Sequence, residues 1–208
     1  SIPLLLPLLS SNSPRALSST YTVNLGTQQN FDFTIGVISA FSSEVSSLAA
    51  SLLDSQIINL NGSKAWEGHL GISNVLILPG GMGPQKAADA AHTLISRGVS
   101  AILCSGTAGA LDPDLQVGDL VIADWVMDAK DRNSKFECDS NWNTEAKRKA
   151  EQDDFCIANG GVISVDTPVF TPKEKGVLRK DSGGSAVDME SATVRRLASG
   201  IPFLSVRV

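Results

Sequence analysis

Near the end of this 208-residue chain, the segment Ala186-Val187-Asp188-Met189-Glu190-Ser191 sets two acids around a methionine. Ala186-Val187 reads as a short strand. Met189 to Ser199 reads as a helix, with Ala192, Val194, Leu197 and Ala198 on its apolar face. A carboxylate at such a junction can accept hydrogen bonds from a polyol, and the methionine beside it can pack on a sugar or base. Both acids also have plainer readings. Asp188 suits a helix cap, and Glu190 suits a first turn, where the helix dipole favours negative charge. Glu44 poses the same choice, since it sits just past the first strand in the first turn of a helix. It is either a favourable N-terminal residue or a general base at the carboxyl edge of a sheet.

Two glycine-rich loops accompany these acids, Gly80-Gly81-Met82-Gly83-Pro84 and Ser105-Gly106-Thr107-Ala108-Gly109. Each follows an apolar run. Glycines let the backbone approach an anion or a sugar, and a following helix N-terminus favours negative charge. Thr107 adds a hydroxyl. A tight turn is the alternative for either loop alone; two after neighbouring strands are the stronger signal. Neither is a dinucleotide fingerprint, because the full G-x-G-x-x-G is absent and no acid closes the next strand. There is no G-x-S-x-G elbow for a serine nucleophile. Cys104, at a strand end, is a thiol nucleophile or a small buried residue, and the second reading is the commoner one.

These residues need elements to position them. Phe33 to Ser39 reads as a buried strand, and Ser42 or Ser43 caps a helix through Leu53. Gln56 to Leu60 and Lys64 to Leu70 read as strands around an Asn61-Gly62 turn. Further strands are expected at Asn74 to Leu78, Ala101 to Cys104, Asp119 to Ala123, Gly161 to Val165 and Phe203 to Val208. Helices are expected at Gln85 to Arg97, Thr144 to Ala158 and Pro172 to Arg179, with a polar loop from Trp125 to Asn141. Strands alternating with helices indicate an α/β fold on a parallel or mixed sheet. In open sheets of this kind the loops at the carboxyl ends of strands form the ligand crevice.

Composition narrows the partners. The chain has 17 basic and 22 acidic residues, a net charge of −5, and 42% apolar residues. That argues for one soluble globular domain and against nucleic acid. The cluster Lys147-Arg148-Lys149 reads as a solvated helix face. Three cysteines and two histidines, His69 and His92, lack metal-site spacing, so neither a metal nor a cofactor is expected. Residues 1–30 form a Leu-, Ser- and Pro-rich leader, either a loosely docked arm or the remnant of a targeting segment. Its apolar piece is too short to span a bilayer, so no membrane partner is expected. The cytoplasm is the expected compartment, or an organelle if the leader is such a remnant. Residues 31–208 are expected to form the folded domain.

Taken in register, these residues resemble the purine nucleoside phosphorylase/uridine phosphorylase superfamily, most of all its nucleosidase branch, which cleaves 5'-methylthioadenosine and S-adenosylhomocysteine. The likeness runs from Thr34 to Val208. It rests on Ile35-Gly36-Val37 with Glu44-Val45, on Gly81-Met82-Gly83, on Ser105-Gly106-Thr107-Ala108-Gly109 with Val117-Gly118-Asp119, on Ser164-Val165-Asp166, and on Val187-Asp188-Met189-Glu190 with Pro202-Phe203 and Val206-Arg207. The Ser-Val-Asp and Asp-Met-Glu-Ser variants are also similar to the hopanoid-associated adenosyl-lipid branch.

The resemblance implies a three-layer α/β/α sandwich around a twisted mixed sheet, assembled as a homodimer or larger oligomer. It implies cleavage of the N-glycosidic bond of a purine nucleoside, with water, or in the phosphorylases phosphate, as acceptor. Under it, Glu44 activates the attacking water, Glu190 accepts hydrogen bonds from the ribose hydroxyls, and Met189 packs on the sugar. Gly83 belongs to the substrate-binding loop. Thr107 occupies the region that holds phosphate or water, and Ala108 and Gly109 line the base. Where the family sets an aromatic against the purine, this chain has Pro168, and Phe170 is the replacement. The phosphorylases' arginines after the first strand and before the second glycine loop are absent here, which favours water. The family continues past Val-Arg with a Ser-Asp pair whose Asp protonates the leaving base, and with a covering helix. This sequence stops at Val208, so the expectation at this end is either a truncated form or a nucleoside-binding protein with impaired turnover.

Overall fold

The computed structural model describes residues 33–131 and 133–208; the leader lies outside them. Among the described residues the strands are β1 (Thr34–Ser39), β2 (Leu53–Leu60), β3 (Ser63–Leu70), β4 (Ser73–Pro79), β5 (Ala101–Gly106), β6 (Gly109–Ala110), β7 (Leu120–Asp128), β8 (Lys135–Glu137), β9 (Ile157–Ser164), β10 (Ala186–Asp188) and β11 (Phe203–Arg207). The helices are α1 (Ser42–Ala50), α2 (Pro84–Ser96), α3 (Ser140–Gln152), α4 (Pro172–Ser182) and α5 (Ser191–Leu197).

All strands join one mixed sheet, in the order β2-β3-β4-β1-β5-β11-β7-β9-β10-β6, with β8 paired to β7. The central run β4-β1-β5-β11 is parallel, so Pro79, Ser39, Gly106 and Arg207 end at one edge. Their side chains are apolar along nearly the whole length, as expected of strands covered on both faces. Helices α1 and α2 lie against β1 and β4, α3 against β7, β9 and β11, and α5 against β7 and β9, completing the α/β/α layers. Gly36 lets α2 approach: a Cβ there would stand 2.8 Å from Leu94 Cδ1 and 3.2 Å from Val99 Cγ1. No helix among the described residues is long and apolar enough to cross a membrane.

The sheet curls back on the chain. β7 runs antiparallel to β11, β9 and β10 follow parallel to it, and β10 pairs with β6. Only Thr107 and Ala108 separate β6 from the end of β5. The path β5-β11-β7-β9-β10-β6 is thus closed by the polypeptide itself. This closure brings the end of β10 against the end of β11, although β7 and β9 lie between them in the sheet.

Several expected boundaries are corrected. Trp125 to Asp128 continue β7, and Lys135–Glu137 form β8, where a polar loop was expected from Trp125 to Asn141. The strand register hides this, because Val126 and Met127 are buried while Trp125 lies against Gly161. Helix α3 begins at Ser140, not Thr144, because Asp139 caps it by accepting from the Asn141 and Trp142 N–H groups. It stops at Gln152, and Ile157 and Ala158 belong to β9. Ser42 and Ser43 do not cap α1; Phe41 is the N-cap and has no side-chain acceptor. The helix ends at Ala50, and Leu53 opens β2. The last helix starts at Ser191, with Glu190 as its N-cap. The Asn61-Gly62 turn is present, both residues at positive φ (52° and 87°), as a two-residue hairpin requires.

Candidate active site

Glu44 reaches back over the end of β1. Its Oε2 accepts from the Ala40 and Phe41 N–H groups, both at 3.0 Å. The Phe41 bond is the return half of a capping box, so the helix-start reading of Glu44 holds. The other oxygen does something a cap does not require. Oε1 accepts from the Thr107 N–H and the Thr107 hydroxyl, both at 2.9 Å. One carboxylate therefore joins the loop after β1 to the loop after β5.

Gly106 makes this approach possible. A Cβ at Gly106 would lie 2.8 Å from Arg207 Nη1 and 3.0 Å from both Glu44 oxygens. The guanidinium and the carboxylate thus face each other across bare backbone.

Glu190 makes a second clasp. Its Oε1 accepts from the Gly83 N–H at 2.9 Å, fixing the loop after β4. Gly83 has φ 100° at the N-cap of α2, a conformation costly for any side chain. The Met189 methyl lies 3.9 Å from where a Gly83 Cβ would stand. Glu190 is only 6% exposed. Burial pushes its carboxyl pKa up, with Asp188 adding to the rise and Arg207 and the Gly83 N–H opposing it.

Beneath these two acids lies a buried ionic cluster. Arg207 Nη2 meets Asp188 Oδ2 at 2.5 Å, donates to Ser191 Oγ at 2.8 Å and to Cys104 Sγ at 3.0 Å, and stands 3.9 Å from Glu190 Oε2. Asp188 also accepts from Ser164 Oγ at 2.6 Å and from Ser191 Oγ at 2.5 Å. Asp188 therefore anchors Arg207 and the start of α5, a larger task than the helix cap alone. Ser164, of the Ser-Val-Asp motif, bridges Asp188 to the Ala192 N–H. Burial raises the Cys104 thiol pKa to about 12, against the pull of Arg207, which removes Cys104 as a thiolate nucleophile.

The fold thus gathers Glu44, Gly83, Thr107, Met189 and Glu190 at one edge. Ala108 donates its N–H to the Val208 carbonyl at 3.0 Å. Gly109 pairs with Val187 in β6. Phe170 stands 80% exposed on the segment leading into α4. Sequence reasoning named Arg207, Ser164 and Ser191 within motifs but gave none of them a role or a partner. The available signal was a charged residue closing an otherwise apolar strand.

A curled mixed sheet whose edge carries two carboxylate clasps over glycine loops defines a nucleoside phosphorylase-like α/β protein. The chain belongs to the phosphorylase superfamily, whose family model matches residues 34–208. It is 26% identical over 191 residues to the 5'-methylthioadenosine/S-adenosylhomocysteine nucleosidase of Staphylococcus saprophyticus, covering 83% of this chain and 84% of that one. With the protein of that name from Oceanobacillus iheyensis, identity is 37% over 95 residues, 45% of this chain and 42% of the relative. In three dimensions it matches a structure from Weissella paramesenteroides assigned as a methylthioadenosine nucleosidase, with TM-score 0.80, 26% identity, and 86% and 84% of the two chains covered. The fold is also that of the Neisseria meningitidis nucleosidase solved with methylthio-immucillin-A, at TM-score 0.78, 24% identity and 83% of each chain.

Proposed function

We propose that this protein hydrolyses the N-glycosidic bond of a purine nucleoside of the 5'-methylthioadenosine or S-adenosylhomocysteine type, releasing adenine. The ribose hydroxyls donate to Glu190, and Met189 packs on the sugar. Ala108, Gly109 and Phe170 flank the base. A water that displaces the Thr107 hydroxyl from Glu44 Oε1 gives that carboxylate a proton and attacks the anomeric carbon. The new C–O bond forms as the C–N bond breaks; the electron pair of the C–N bond leaves with the base, which gains a proton to become adenine, and the proton taken by Glu44 returns to solvent. The acids around the sugar stabilise the cationic character that builds on it.

The observation that carries water over phosphate is the engagement of Arg207. Phosphate needs cationic donors. Here the guanidinium already serves Asp188 at 2.5 Å, and Glu44 and Glu190 stand beside it. A phosphate dianion entering among three carboxylates meets repulsion. A homodimer belongs to this reading and is checked by light scattering. The decisive assay incubates the protein with 5'-methylthioadenosine, with and without phosphate, and follows free adenine. Release without phosphate is expected. Strict phosphate dependence would make it a phosphorylase, and saturable binding without adenine would make it a binding protein.

A further inference from the structure

Glu190 can clasp a ribose only through an oxygen that the protein leaves open. Its Oε1 is taken by the Gly83 N–H at 2.9 Å, while Oε2 has only a long bond of 3.3 Å from the Met189 N–H. The rival for Oε2 is Arg207, whose Nη2 stands 3.9 Å away. A shift of about 1 Å would turn that gap into a charge-assisted hydrogen bond. Guanidinium and ribose hydroxyls would then compete for the same oxygen, and the buried cation is the stronger donor.

Asp188 opposes that shift. Its Oδ2 meets the same Nη2 at 2.5 Å. Asp188 is itself braced. Ser164, its neighbour in the β9–β10 ladder, donates its hydroxyl to Oδ1 at 2.6 Å, and the Ser191 N–H and hydroxyl reach Oδ2 at 3.1 and 2.5 Å. The Ser191 hydroxyl also accepts from Arg207 Nη2 at 2.8 Å, so it grips both members of the pair. Glu44 also stands beside the guanidinium, across Gly106, but each of its oxygens already accepts two hydrogen bonds, from Ala40 and Phe41 or from Thr107. Among the described residues, the carboxylate oxygen left open to a guanidinium released by Asp188 is therefore Glu190 Oε2.

We propose that Asp188, braced by Ser164 and Ser191, is a positioning residue of the ribose clasp: it engages Arg207 and so keeps Glu190 open as an acceptor for the sugar hydroxyls. This rests on the nucleosidase reading of the site. The role differs from that of an ion pair that only holds the fold. Losing a fold contact weakens every ligand alike, whereas losing this one is felt through the hydroxyls and not through the base.

A binding measurement tests this without turnover. The probes are 5'-methylthio-9-deazaadenosine, whose carbon–carbon bond to the sugar is not hydrolysed, and its 2',3'-dideoxy form, which lacks the hydroxyls. Calorimetry gives Kd for wild type, Asp188→Asn, Ser164→Ala and Ser164→Thr, and thermal melts with circular dichroism confirm that each is folded. Wild type should prefer the ribose form on the order of 10²-fold, the scale of two hydrogen bonds to a charged acceptor. Asp188→Asn should cut that preference by about tenfold or more, the scale of one such bond, by weakening the ribose form while the dideoxy form stays within a few-fold of wild type. Ser164→Ala should lower the preference part of the way, and Ser164→Thr, which keeps the hydroxyl, should restore it. If Asp188→Asn does not fold, the two Ser164 variants decide alone. Both probes weakened by the same factor, or a preference unchanged in the folded variants, overturn the role of Asp188 while the nucleosidase reading stands. A wild type that binds both probes equally overturns the ribose clasp and the role of Asp188 with it, and a wild type that binds neither overturns the nucleosidase reading as well.

Discussion

Arg207 and Asp188 meet at 2.5 Å in the interior, on strands that are not neighbours in the sheet. Their side chains are 2% and 0% exposed. The pair closes the curled sheet at the level of the glycine loops, so it holds the fold and the site at once. Burial works against the Arg207 charge, yet Cys104 and the surrounding acids outweigh it and its pKa is raised.

Removing one partner of that pair strands the other. Asp188→Ala should lose about 3–5 kcal/mol, the usual cost of leaving a buried charge uncompensated. The double variant Asp188→Leu with Arg207→Met should lose less than Asp188→Ala, because no charge is left buried. Urea unfolding of the single and double variants measures both. A double variant as unstable as the sum of its singles would show that the two side chains act independently.

Glu44 separates a cap from a catalytic role by its two oxygens. Glu44→Gln keeps one oxygen acceptor for the Phe41 or Thr107 N–H groups. Its stability should stay within about 1 kcal/mol of wild type, the scale of a helix-start interaction. Adenine release should fall by about 10²–10⁴-fold, the scale of a lost general base. Activity preserved in a folded Glu44→Gln protein would reduce Glu44 to the helix-start residue that its position alone suggests.

Much of this site could be read from residue types. Glycine loops after apolar strands, Glu44 in the first turn after β1 and the Asp-Met-Glu segment at the end of β10 all sit at or just past strand ends, where local propensity and strand period agree. What could not be read is long-range. The clasp from Glu44 to Thr107 spans 63 residues and that from Glu190 to Gly83 spans 107. Neither leaves a periodic trace. The two-residue β6 is invisible for the same reason: Gly109 and Ala110 have little strand propensity, and only their pairing with Val187 and Ala186 makes them a strand. The stretch from Trp125 to Asn141 misled because it is polar and aperiodic as a whole, whereas Trp125 to Asp128 continue β7 and Gly161 receives the indole.

Glu190 gives a pH dependence with a definite sign. Its folded-state pKa lies above the ordinary carboxyl value, burial being the main cause. The folded protein therefore holds this proton at pH values where the unfolded chain has released it. Stability from this group is present below the unfolded pKa, near 4.3, and is lost as pH rises through the window up to the folded pKa. Glu190→Gln removes the titration. The stability of wild type relative to Glu190→Gln should therefore fall as pH is raised from about 4 to 7. Urea midpoints of the two proteins across that range provide the check, and a difference that rises with pH would mean the carboxylate gains more from Arg207 and Gly83 than burial takes away.

The three cysteines should divide cleanly by reactivity. The thiolate is the form that attacks a disulfide reagent, so burial protects a thiol twice, by blocking access and by keeping it protonated. Cys104 and Cys138 are both buried, and burial raises each pKa to about 12. For Cys104 the neighbouring Arg207 pulls the other way and is overcome, as are the Ser205 backbone and Arg195 at Cys138. Cys156 is exposed at the turn between α3 and β9. Titration of the native protein with 5,5'-dithiobis(2-nitrobenzoate) at neutral pH should release one equivalent quickly, and Cys156→Ser should abolish it. In denaturant the wild-type chain should give three. A second fast thiol in the native protein, lost in Cys104→Ala, would mean that the Arg207 guanidinium activates that sulfur, and would reopen it as a nucleophile at the foot of the site.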